Sequence, residues 1–217
     1  MEDGMFCLIK FGTKEHMESL LNVGEIHFSP LINFYNSTEE ERGDSNEGLI
    51  KLENVKIKEV KVEHPTLGTY VFKMDETSNS KMKTFIDEPY LCFSAYAITN
   101  RTFETSNEYT IDENMQKLGK YAVIINEPLK FINMVVTNLK QQGLFVGEGM
   151  VDYLNYSNRE KYDLTFFNKS EEFKHQAEYR IIIRVPELES KQIHIGSIKN
   201  CANICKTEEF INTKWTI

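Results

Sequence analysis

Three short apolar runs set the terms on which this chain can fold. EPYLCFSAYAI (Glu88–Ile98), KYAVIINEP (Lys120–Pro128) and the YRIIIRV run (Tyr179–Val185) are nearly continuous in apolar residues. That pattern predicts strands buried in a sheet rather than half-wetted surface strands. At 217 residues the chain is long enough to bury such a core, and no apolar run approaches the roughly 18 residues needed to cross a bilayer. The opening MEDGMFCLIKFG carries acidic residues where a secretory signal would be basic, so the expected location is cytoplasmic.

Around these runs the chain alternates between strand and helix periods. Phe6 to Phe11 reads as a strand, Thr13 caps a helix over Glu15–Val23 with Met17, Leu20 and Leu21 at helical spacing, and Gly24 ends it. GEIHFSPL follows as a strand with Ile26 and Phe28 on one face and His27 and Ser29 on the other. Ser37–Gly48 is polar and acidic and predicts an exposed loop. LIKLENVKIKEVKVE and GTYVFKMDE alternate with period two around HPTLG, which predicts a β-hairpin with one wet face. Leu129–Gln142 has a helical pattern behind Pro128, and MVDYLNY reads as a strand with Val151 and Tyr153 on one side. QIHIGSIKNCANICK predicts a strand and a short helix, and FINTKWTI an edge strand. With no repeat, low-complexity segment or linker, the expectation is one α+β domain over 1–217, built on a twisted, mixed or antiparallel split sheet with peripheral helices.

Several chemistries lack their residues. The chain has no GxGxxG after a strand, no GxxxxGK[ST], no GxSxG and no HExxH. The formal charge of −8 disfavours nucleic acid as a partner, leaving only a local basic patch for it. The five histidines are dispersed. The four cysteines (Cys7, Cys92, Cys201 and Cys205) are expected to be buried thiols, and the spacing of Cys201 and Cys205 fits one face of a helix. No metal is expected.

FKHQAEYRIIIRV (Phe173–Val185) is where polar residues interrupt the apolar pattern. Read as a strand, it places Gln176, Glu178 and Arg180 on one face. In one reading they are a solvated strand face with cross-strand ion pairs; in the other they carry a site. Other candidate binding residues are Asp44 and Glu47 in RGDSNEG, which are either solvating charges or oxygen ligands for a ribose, a base edge or a divalent cation, and Ser94 in the buried run. Phe166, Phe167, Phe173 and Tyr179 form an aromatic group suited to core packing or to stacking a base.

Two resemblances bear on function. The succession LIKFG, HMESLLNVGEIHFSPLINF, RGDSNEG, LCFS, KYAVIINEPLKF, VDY and FFNKSEEFKHQAEYRIII resembles bacterial proteins of the family called domain of unknown function 2971, over about Phe6 to Ile183. More loosely, a strand ending in a basic residue, a helix ending in Gly, a strand bearing Ser and a late Q-x-E resemble the ADP-ribosyltransferase fold. That resemblance implies NAD as co-substrate, Lys10 and Ser29 at the nicotinamide nucleotide, Glu178 as the catalytic carboxylate and Gln176 as the residue that orients the acceptor. Arg180 is then expected to meet a diphosphate oxygen or to hold Glu178, using its rigid donor fork. Lys10 stands where Arg or His is usual in that fold. Bacterial proteins of this class act as toxins or in phage defence, which is the context the resemblance implies. The alternatives are a module that binds a nucleotide or a protein partner through the acidic loop and hairpin edge, and a Mg²⁺-dependent nuclease-like hydrolase using Asp44, Glu47 and Glu178. The transferase reading requires Lys10, Ser29 and Glu178 to converge on one cleft.

Overall fold

The computed structural model describes residues 4–38, 41, 43–73 and 79–217. In chain order it runs β1 (Met5–Gly12), α1 (Lys14–Val23), β2 (Glu25–Pro30), α2 (Leu31–Asn36), β3 (Leu49–Lys56), β4 (Glu59–His64), β5 (Gly68–Lys73) and β6 (Asn79–Phe85). The buried run then forms β7 (Tyr90–Thr99), followed by β8 (Glu108–Tyr109), β9 (Tyr121–Ile125), α3 (Pro128–Gln141), β10 (Phe145–Met150), β11 (Asp152–Leu154), β12 (Lys161–Asp163) and β13 (Asn168–Ser170). The chain closes with β14 (Glu178–Arg184), β15 (Lys191–His194), β16 (Ala202–Lys206), α4 (Thr207–Ile211) and β17 (Trp215–Thr216). This is a mixed α+β structure built on twisted antiparallel sheets, and among the described residues no helix is long and apolar enough to cross a membrane.

The apolar runs form the middle of the main sheet, in the order β10-β14-β7-β1-β9-β16. Alternation divides their side chains between two layers. Leu8, Phe93, Ala95, Val123, Ile181 and Ile183 pack with Met17 and Leu20 of α1 and with Phe131, Val135 and Leu139 of α3. Their neighbours Cys7, Ile9, Phe11, Tyr96 and Ile98 face the other way, against Phe103, Met115, Phe210 and Ile211. Both faces of β7 are therefore largely dry, as its continuous run requires.

The main sheet forks in its middle. β1 pairs with β7 from Met5↔Thr99 only as far as Ile9↔Tyr96, while its last residues stay with β9 through Gly12↔Tyr121. β2 joins the same side of β7 at Ser29↔Cys92 and Pro30↔Leu91. Between these contacts Phe93, Ser94 and Ala95 keep β14 on one side and, among the described residues, have no ladder partner on the other.

Three expectations change. Leu49–Glu63 is not one strand: β3 pairs with β6 and β12, while β4 and β5 form a separate ribbon with every residue exposed on both faces. CANIC is a strand, β16, because pairing with β9 from Ala202↔Ile125 to Lys206↔Tyr121 extends the main sheet. A spacing of four suits either period, and the free edge of β9 decides it. MVDYLNY breaks at Val151, where β10 ends and β11 begins.

The first helix ends as its sequence requires. Thr13 accepts a hydrogen bond from His16 N, and Gly24 closes α1 in the left-handed region at φ 65. A Cβ at Gly24 would collide with the backbone carbonyl of Gly196. Gly24→Ala is therefore expected to lower stability by about 1–3 kcal/mol, the cost of a strained left-handed residue, read as a fall in the urea midpoint. An unchanged midpoint would show that this turn does not constrain the α1–β2 connection.

Candidate active site

The fork in the sheet opens a cavity of about 460 Å³. Lys10, Ser29, Ser94, Gln176, Glu178 and Arg180 all line it, and Glu47 reaches it as well. Lys10, Ser29 and Glu178 are all among its lining residues, with Lys10 and Glu178 on opposite faces of the sheet. Lys10 lies on the Leu8 side of β1, with its ammonium 4.8 Å from the centre of the Phe93 ring and donating at 2.6 Å to the Ser94 carbonyl. That carbonyl belongs to the stretch of β7 bounded by β14 alone. Glu178 and Arg180 alternate to the opposite face, where Arg180 stands directly across from Ser94.

Glu178 sits at the first position of β14, and the side chains of Tyr153, Lys169 and Arg180 position it. The parallel pairing of β11 with β13 sets Tyr153 beside Lys169, and both reach Glu178. The Tyr153 hydroxyl accepts from Glu178 N at 2.8 Å, and Lys169 Nζ donates at 2.6 Å to Glu178 Oε1. Arg180 Nε donates at 2.8 Å to Glu178 Oε2. The rest of the guanidinium forks onto Glu47, with 2.9 and 2.8 Å contacts to its two oxygens, and donates at 2.7 Å to the Phe166 carbonyl.

Gln176 reaches the same cluster by a route the strand reading did not anticipate. It closes a 3-10 turn over Glu171–Gln176, and Ala177 then takes a left-handed conformation at φ 39 before β14 begins. Among the described residues Ala177 is the only non-glycine with positive φ, a strained position of the kind that accumulates at functional sites. The turn brings Gln176 Oε1 to 2.7 Å from Lys169 Nζ, so one lysine holds both the amide and the carboxylate.

None of this is a solvated strand face. Glu178 is 8% exposed, Gln176 and Lys169 5% and Arg180 2%. Burial opposes the charge of Glu178, and Arg180 and Lys169 more than offset it, bringing its carboxyl down to about 2. Burial likewise works against the Arg180 cation, yet Glu178 and Glu47 raise its hold on its proton. A buried ion cluster gives little stability over apolar packing of the same volume, so its presence in a cleft points to a working role.

The acidic loop differs from its expected solvated state, since Asp44 is 3% exposed and Glu47 6%. Asp44 does not line the cavity; it accepts from Asn46 N at 2.8 Å within its own loop, and burial raises its pKa. Arg42 lies outside the described residues. Glu47 and Glu178 share a guanidinium between them where the hydrolase reading needed a common point for Mg²⁺, and among the described residues no three His, Cys, Asp or Glu groups are placed to hold a metal ion. Phe166, Phe167, Phe173 and Tyr179 do not line the cavity. Phe166 packs on Tyr90, and Phe173 faces the Lys169 ammonium at 4.5 Å.

Sequence reasoning missed Lys169, Tyr153 and Glu41 as site residues. Lys169 did leave a signal, as a single cation among Phe166, Phe167 and Phe173. Glu41 left none, being one of a run of glutamates; it lines the cavity and is held by His175 and Gln176.

Arg180→Met is expected to cost about 3–5 kcal/mol in urea unfolding, because it leaves Glu47 and Glu178 buried without their cation. The double variant Arg180→Met/Glu47→Leu should recover part of that loss, and equal destabilisation of the two would show that the ion pair is not what the loop depends on. No family model matches the chain, and neither does any curated protein or solved structure.

Proposed function

We propose that the protein is an NAD- or nucleotide-using enzyme of ADP-ribosyltransferase or glycohydrolase type, with Glu178 acting on the ribose and Lys10 and Ser29 on the nucleotide. The observation that carries this reading is a buried carboxylate, paired with Lys169 and Arg180, in the cavity that Lys10 and Ser29 also line. The fork of β1 and β2 away from β7 supports an ADP-ribosyltransferase-like arrangement, since it opens the sheet at the residues the resemblance selects.

The chemistry follows from the charge. Breaking the bond between ribose and nicotinamide builds positive charge on the sugar, and an ionised carboxylate beside it favours the transition state over the ground state. Low dielectric strengthens that attraction. Lys169 and Arg180 keep the carboxylate ionised and fix its plane, and each oxygen retains a lone pair for a ribose hydroxyl. The cavity volume falls within the range of small-molecule sites.

The test is nicotinamide release from NAD by the wild type and by Glu178→Gln, with and without bacterial lysate as a source of acceptors. Wild-type release that falls by about 100-fold or more in the variant, with matching circular dichroism spectra, is the expected result. No release by the wild type, together with a melting temperature unmoved by NAD, would overturn the proposal in favour of a binding module.

A further inference from the structure

β2 lays a row of polar side chains along the wall of the cavity. Ile26 and Phe28 pack into the layer that holds Phe93 and Ile181, so Glu25, His27 and Ser29 alternate to the opposite face. That is the face of Glu178 and Arg180: Ser29 pairs with Cys92, Cys92 with Ile182, and two residues further along Ser94 stands across from Arg180. Continuing the register of Ser29 and Cys92 would set His27 opposite Ser94, but there the fork opens. His27 is thus at least two strand spacings, about 10 Å, from β14, and it lines the same cavity as Glu178.

Nucleophile chemistry calls for a base at this wall. A hydroxyl nucleophile loses a proton as it attacks the ribose, and a base must accept it. Glu178 is spent on another task, since against the effect of burial Arg180 and Lys169 occupy its oxygens and bring its carboxyl to about 2. Two histidines line the cavity. His16 stands on α1, which packs with Met17 and Leu20 on the Phe93 layer, whereas His27 stands on the Glu178 face. His27 is exposed, within reach of water, and lies across from Gln192 of β15. The charged groups around it are Glu25 on its own strand, itself 3.4 Å from His194 of β15, with His16 on α1 and Lys10 on β1. Partial burial, His16 and Lys10 lower the pKa of His27 more than Glu25 raises it, so the ring is a neutral base near neutrality.

Resting on the ribosyl-transfer reading above, we infer that His27 is the general base that activates a hydroxyl nucleophile, water or an alcohol, from the wall opposite Glu178. A ring nitrogen of His27 takes the hydroxyl proton while the oxygen bonds to the ribose carbon. The bond from that carbon to the nicotinamide nitrogen breaks, its electron pair stays with the nitrogen, and the pyridinium leaves as neutral nicotinamide. The imidazolium then returns its proton to solvent, and no oxidant, reductant or further reactant is required.

The experiment is the pH dependence of nicotinamide release from NAD by the wild type and by His27→Ala, with and without added imidazole, with methanol as an alcohol probe and product masses recorded. Wild-type kcat/KM is expected to rise with pH to a plateau, with a midpoint below the ordinary histidine value, a range in which Glu178 gives no limb. His27→Ala is expected to lose about 100-fold or more, to lose the limb and to regain rate with imidazole. ADP-ribose as product supports the base acting on water, and methyl ADP-ribose formed in methanol supports it acting on an alcohol. A variant that keeps the wild-type rate, or one that loses rate yet keeps the limb or ignores imidazole, overturns the base assignment while the enzyme class stands. No release by the wild type at any pH overturns both.

Discussion

A guanidinium buried between two carboxylates ties the site together. Arg180 spends its donors on Glu178, Glu47 and the Phe166 carbonyl, and so joins a central strand, the acidic loop and the aromatic connection ahead of β13. Desolvating such a group is costly, and its attraction to its partners offsets that cost only when the geometry is good and the remaining donors are satisfied. Both conditions hold here. The loop is therefore held in by electrostatics that an apolar latch would not reproduce, and Glu41 of the same loop lines the cavity, held by His175 and Gln176.

The second constraint is the fork. A strand bonded on both sides offers no opening, and between Leu91 and Tyr96 β7 has ladder partners on both sides, among the described residues, except at Phe93–Ala95, where β1 has left it and β2 has not yet joined. The exposed backbone there is answered by a side chain, Lys10, whose ammonium donates to the Ser94 carbonyl. The cavity is thus a consequence of sheet register, with Lys10 on one face of the sheet and Glu178 and Arg180 on the other.

Much of the frame was legible because burial leaves a periodic trace. The helix from Thr13 to Gly24, the strand with Ile26 and Phe28 inward and the buried run of β7 all follow their patterns. Period alone does not say whether a face is covered, and so Val60, Val62, Tyr70 and Phe72 alternate like a buried strand yet remain exposed. Glu178 was legible through its neighbours Gln176 and Arg180. What brings these residues together is the left-handed turn at Ala177, which has no local signature, and a lysine from another strand, whose one trace is its place among Phe166, Phe167 and Phe173. Glu41 meets its partners 134 and 135 positions away, a separation at which no pattern in a single sequence speaks.

The central claim is that Glu178 stays ionised while facing the cavity. Its side-chain carboxyl resonance, assigned by its loss in Glu178→Gln, can be followed by ¹³C NMR as pH is lowered, with and without NAD. The group's pKa is depressed in the folded state, so the account predicts ionisation down to about 2 and a shift of the resonance when NAD is added. A midpoint at or above the usual carboxylate value, or a resonance indifferent to NAD, would contradict it.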